Sequence, residues 1–136
     1  MLSLLCFFLG GNGLFMILDR PIVFLGMLHT GTYAIVLHLG STLVSIYIGY
    51  GLLKPFRHIW YIYLAGACIS IAGLICNLIH ETKIWEWHLL TGSQTESIPR
   101  LMKFTIETHY LFIAMYVFTA MYVYYHKPYF WGRRDV

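Results

Sequence analysis

Apolar residues gather into four long stretches, and the charges fall in the short joints between them. The stretches are 2–18, 22–53, 59–79 and about 104–125. A run of about 20 apolar residues is long enough to cross a bilayer as a helix. The joints are clear. Asp19, Arg20 and Pro21 close the first run, and Lys54, Pro55, Phe56, Arg57 and His58 separate the second from the third. The polar segment 81–103 separates the third from the fourth. The pattern predicts an all-α integral membrane four-helix bundle, a single transmembrane domain over 1–136 with helices at about 2–18, 22–53, 59–80 and 103–126.

Composition sharpens this picture. Hydrophobic residues make up 59% and charged residues 11% of the 136, against about 25% charged in a typical soluble domain. One four-helix unit uses up this length and leaves no room for a soluble catalytic domain. A net charge of +3, spread over joints, argues against a nucleic-acid partner. Trp60, Tyr61, Tyr63, Trp85, Trp87, Tyr124, Tyr125, Tyr129 and Trp131 sit near run ends, as in the interfacial aromatic belt of membrane proteins. Cys6, Cys68 and Cys76 lie inside apolar runs and read as small packing residues rather than disulfides or metal ligands. The first run lacks the basic start and small-residue cleavage site of a signal peptide, so a retained helix is expected, with Gly10, Gly11 and Gly13 weakening its middle.

Four antiparallel helices would place both termini on one side. Lys54, Arg57, Lys127, Arg133 and Arg134 fall on that side, against Arg20, Lys83, Arg100 and Lys103 on the other. Basic residues near helix ends mark the inner side, so the narrow excess favours inner termini. The second run exceeds one bilayer thickness and is expected to tilt or protrude. Residues 91–99 read as the one true loop.

Helices in lipid associate through small residues that allow close approach. The second run carries Gly31, Ala34, His38, Thr42, Ser45 and Gly49 at three- and four-residue steps, and the third carries Gly66, Ser70, Gly73 and Asn77. Each set lies on one helix face, expected to meet the other or a partner subunit. In the fourth run, Lys103 and Glu107 stand four residues apart and are expected to pair, although Glu before Lys is the better order.

Seven histidines in so apolar a chain raise the question of heme b, which needs one imidazole on each side of the ring. His29 and His109 would lie roughly 10 Å below the same surface on two parallel helices, from a rise of about 1.5 Å per residue. They are the matched candidate pair. His38 faces away from His29 and would need a partner chain's histidine. His58, His80, His88 and His126 fall at run ends, where an interfacial histidine needs no cofactor. A histidine that bonds across helices explains the same positions. Zinc spacing, a serine nucleophile motif and a phosphate-cradling glycine loop are all missing from the sequence. Glu81, Glu86 and His88 read as a solvated interfacial helix rather than a surface metal site.

Residues 54–136 resemble the first two helices of cytochrome c oxidase subunit 3. Lys54-Pro55 precedes the third run, as a Lys/Asn-Pro segment leads into that family's first helix. Residues 129–136 read Tyr-Phe-Trp-Gly-Arg-Arg-Asp-Val, similar to the family's WWRDV-like motif after helix two with one residue inserted. Phe56-Arg57-His58-Ile59-Trp60 replaces the family's Pro-Trp-Pro signature, the loop between the two helices is longer, and the first two runs have no counterpart in the family. A fainter resemblance is to the membrane anchors of succinate dehydrogenase. Phe56-Arg57-His58-Ile59-Trp60 is similar to their Gly-Ile-Arg-His-Leu-x-Trp run, and His29-Thr30-Gly31-Thr32 to their His-Arg-x-Thr-Gly motif. The position of that family's heme histidine is Gly51 here, so no ligand carries over.

These resemblances imply a small non-catalytic membrane subunit of a respiratory electron-transfer complex, in the mitochondrial inner membrane or a bacterial plasma membrane. Its expected partners are other membrane subunits and bound lipid. A heme b- and quinone-binding anchor is the alternative, and a stand-alone enzyme or transporter ranks last.

Overall fold

The computed structural model describes Cys6 and residues 20–54, 56–93 and 95–131. An antiparallel hairpin opens the continuous part, with β1 at Ile22–Phe24 and β2 at Met27–His29. Helix α1 spans Gly31–Leu53, α2 Arg57–Ile79, α3 Glu81–Leu90, α4 Ile98–Tyr125 and α5 Lys127–Trp131, with a 3-10 turn at Thr95–Ser97 before α4. The chain is mostly helical. Helices α1, α2 and α4 are long and apolar enough to cross a membrane. At about 1.5 Å per residue, α1 and α2 reach roughly 35 Å and α4 roughly 42 Å. The expected helix at 2–18 falls outside the described residues except for Cys6, which is helical.

The expected helix at 22–53 begins nine residues late, because its first eight residues form the hairpin. Ile22 and Val23 are β-branched and favour extended backbone. Leu25 and Gly26 turn the chain with φ of 51° and 72°, the pair of positive values that a two-residue type I′ hairpin turn requires. Pairing runs Ile22 with His29, Val23 with Leu28 and Phe24 with Met27. At the other end of α1, Pro55 forces Lys54 out of the helical region, to φ −119° and ψ 92°. Helix α2 starts two residues before the expected 59. Helix α4 starts five residues before the expected 103, inside the segment read as a loop. Pro99 sits in its first turn, where a missing N–H costs nothing.

Helices α2 and α4 form the main packed pair, and α1 leans on α2 chiefly near its C-terminal end. The core cluster of Ile48, Ile59, Trp60, Tyr63, Ala67, Val123 and Phe130 therefore gathers toward the α1–α2 joint. Ile59 is fully buried and fills the space that Gly51 leaves open, so a Cβ at position 51 would overlap it. At the opposite end, the hairpin and α3 pack together against α2, and α3 also packs on α4.

Candidate functional site

The two ends of the bundle are built differently. At the α1–α2 joint, Trp60 packs edge-on to Tyr61 and Trp131, with ring centroids 4.9 and 5.5 Å apart. The Lys127 ammonium lies 5.2 Å from the Trp60 ring and 4.7 Å from the Trp131 ring. The Trp60 indole N–H donates to the Val123 carbonyl at 3.1 Å. Tyr129 donates to the Leu52 carbonyl at 3.2 Å and ties α5 to α1. Rings with apolar bodies and polar edges suit a headgroup boundary.

The hairpin end is fastened by directed hydrogen bonds. Buried Asn77, near the end of α2, accepts from the Gly26 N–H at 2.8 Å and donates to the Val23 carbonyl at 3.0 Å. Both groups of one amide are used on the hairpin backbone. The Trp87 indole donates to the Pro21 carbonyl at 2.7 Å, joining α3 to the strand entry. His88 is buried and bonds the Thr105 hydroxyl of α4 through Nε2 at 3.1 Å. Burial pushes the His88 pKa below the usual histidine value. A Cβ at Gly26 would overlap the His80 ring.

The small-residue face of α2 is divided between α1 and the hairpin. On α1, Ala34, Thr42 and Gly49 are buried, and His38 and Ser45 are half-buried. Gly31 has open space around it and is exposed; its φ of +58° at the helix start is its structural role, not packing. On α2, a Cβ at Gly66 would be 4.0 Å from Ile48 of α1, whereas one at Gly73 would be 3.9 Å from Phe24 and Leu25. The Gly73–Asn77 half of that face therefore receives the hairpin, not a helix. Ser70 is half-buried between the two halves.

Of the histidine candidates, His29 stands on β2, so the argument from equal depth on two parallel helices loses its premise. Its Nε2, like that of His38, is buried without a hydrogen-bond partner, as is the Thr42 hydroxyl. His109 is half-buried, and its Nδ1 bonds the Thr105 carbonyl one turn back at 2.8 Å. The sequence predicts a Lys103–Glu107 pair, but among the described residues the ion pair is Lys83 with Glu86 at 2.9 Å. Glu107 is exposed on α4. Residue order does not explain the difference, since lysine precedes glutamate in both places. No group of three or more His, Cys, Asp or Glu among the described residues could hold a metal ion.

Two adjoining cavities lie in the seam beside α2 and α4. The deeper one, of about 180 Å³, lies among α1, α2 and α4 and is reached by Cys6, Ser45, Tyr63, Ser70 and Thr119. The outer one, of about 290 Å³, lies under the hairpin and is walled by Phe24, Gly73, Leu74 and Phe112. Ser70 and Tyr116 line both. Sequence reading named Ser45 and Ser70 as contact residues and gave no sign that space would remain between them. It also missed Gly26 and Gly51, whose signal is a neighbour visible only in three dimensions. Compared with protein family models, with curated proteins and with solved structures, the chain matches none.

Proposed function

We propose that this chain is a small, non-catalytic integral membrane subunit of a respiratory electron-transfer complex, acting in packing and assembly. The observation that carries the subunit reading is the outer face of α4. Phe104, Leu111, Phe118 and Tyr125 recur every seven residues and are 67%, 68%, 73% and 71% exposed. Such a bulky seam can seat a neighbouring helix. Glu107 stands between Phe104 and Leu111 on the same face. An acid on an otherwise apolar membrane helix is stabilised by protein or water, not by lipid tails. The respiratory assignment draws on the resemblance of 54–136 to cytochrome c oxidase subunit 3, with the mitochondrial inner membrane or a bacterial plasma membrane as its place. The four-helix arrangement and inner termini belong to the same reading.

Native electrophoresis of gently solubilised source membranes, with mass spectrometry of the band, tests it. Co-migration with an oxidase or dehydrogenase core is expected, and its loss in a Glu107→Gln, Leu111→Ala double variant that still inserts. Migration as a small particle overturns the proposal. A heme b anchor is the second reading, favoured by the unpartnered Nε2 atoms of His29 and His38. Neither described cavity is lined by a histidine, which ranks it lower. A reduced-minus-oxidised heme band lost in His29→Ala, His38→Ala or His109→Ala would raise it.

A further inference from the structure

The cavity pair is polar at the wrong end for a phospholipid. Ser70 lies 13 residues into α2, about 20 Å from its start at 1.5 Å per residue, near the middle of a hydrocarbon layer of about 30 Å. Ser45 lines the same deep cavity from α1. Serine and threonine hydroxyls in helices usually bond the carbonyl one turn back. Ser41 does so to His38 and Thr119 to Met115, both at 2.9 Å. Ser45 and Ser70 make no hydrogen bond among the described residues. Both hydroxyls border open space, with donor and acceptor capacity unspent. The outer cavity shares the Ser70 and Tyr116 hydroxyls with the deep one; beyond them it is walled by Val23, Phe24, Leu74 and Phe112, and the Asn77 amide is already engaged by the hairpin backbone.

No charged side chain lines either cavity among the described residues. An ionic headgroup there would lose its hydration without compensation, at a cost of several kcal/mol or more. The ligand chemistry follows from that distribution: hydrogen-bonding and uncharged at the deep end, apolar along its body. A cavity of roughly 150 Å³ holds a six-membered ring, so the deep chamber admits a ring or a short chain end. We propose that the seam binds a neutral lipid with its hydroxyl or carbonyl end against Ser45 and Ser70 and its apolar body under the hairpin. The site goes beyond the subunit role and does not depend on it.

Photolabelling tests the site on the full chain in the membranes where it is made. Three probes are compared: a diazirine sterol, a diazirine long-chain alcohol and a diazirine phosphatidylcholine. Peptides covering 63–74 and 112–119 are then read by mass spectrometry. The expected result is labelling of these peptides by a neutral probe, the sterol arm reporting a ring and the alcohol arm a chain. Ser45→Ala and Ser70→Ala should each weaken it about fivefold, the value of one hydrogen bond of about 1 kcal/mol. Ser70→Leu should abolish it by filling the shared wall, while Val36→Ala on the exposed face of α1 leaves it unchanged. Equal labelling by phosphatidylcholine overturns the proposal, as does labelling indifferent to both serines. No labelling of the seam above that of the outer face of α4 means that water alone fills it, and also overturns the proposal.

Discussion

The ring-rich end and the hairpin end fasten α2 and α4 by different physics. At the first, contact is spread over Ile59, Trp60, Tyr63, Val123 and Phe130, and each neighbour shares the load. At the second, a few donors and acceptors on Asn77, Trp87 and His88 fix the hairpin and α3. The cost of losing spread contact scales with the volume removed, since surrounding side chains relax only partly into a gap. Directed bonds fail abruptly, because removing one partner strands the other in apolar surroundings.

Trp60→Ala is the heaviest blow. It removes the ring at the centre of the aromatic cluster and should cost about 3–5 kcal/mol, the range for large-to-small core substitutions. Unfolding in mild detergent measures the loss. Amide exchange of 22–29 should stay unchanged, and deprotection there would show that the two ends unfold as one unit. Asn77→Leu should cost about 2–3 kcal/mol, because it strands the Gly26 N–H and the Val23 carbonyl. The expected signature is faster exchange at Gly26 with the ring-rich end intact. Asn77→Asp separates the two bonds, since a carboxylate still accepts from Gly26 but cannot donate to Val23.

A smaller effect comes from pH. The folded His88 pKa lies below its unfolded value, so above about 6.5, the usual histidine value, neither state takes a proton there. As pH falls below that, the unfolded form protonates first and the hairpin end loses stability. The loss is complete once pH passes below the folded pKa. Trp87 fluorescence in a chain whose other tryptophans are replaced by phenylalanine should report loosening between these limits. His88→Gln should flatten the dependence; an unchanged acid profile would place its cause elsewhere. Lys127→Met is the mildest change, removing cation–π contacts worth about 0.5–1 kcal/mol. A thermal shift larger than that of Asn77→Leu would reverse the contrast between the ends.

The ring-rich end was largely legible in the sequence. Trp60, Tyr61, Tyr124, Tyr125 and Trp131 announce it by composition and position, and the long helices α2 and α4 follow from their apolar runs. The hairpin end was not. Residues 22–29 are apolar enough to pass for the start of a helix, and hydropathy does not distinguish a buried strand from a buried helical turn. What decides the matter is Asn77, more than 50 residues away, which satisfies two hairpin backbone groups. Folding those eight residues into the hairpin also trims the second run from roughly 48 Å as a helix to roughly 35 Å, closer to one bilayer. The small-residue faces show the same limit. Their spacing reveals a common face but not whether a helix, a hairpin or a cavity will front it.

The bond from Trp60 to Val123 has one more consequence. Val123 lies in the last turn of α4, where the final four carbonyls lack partners within their own helix. An indole from α2 supplies the missing donor, 63 positions earlier in the chain. The end of α4 is thereby indexed against the beginning of α2. If one helix slid past the other by a single turn, about 5.4 Å, that carbonyl would be left bare and the indole would lose its acceptor. The bond acts as a detent that favours one register of the two long helices over its neighbours.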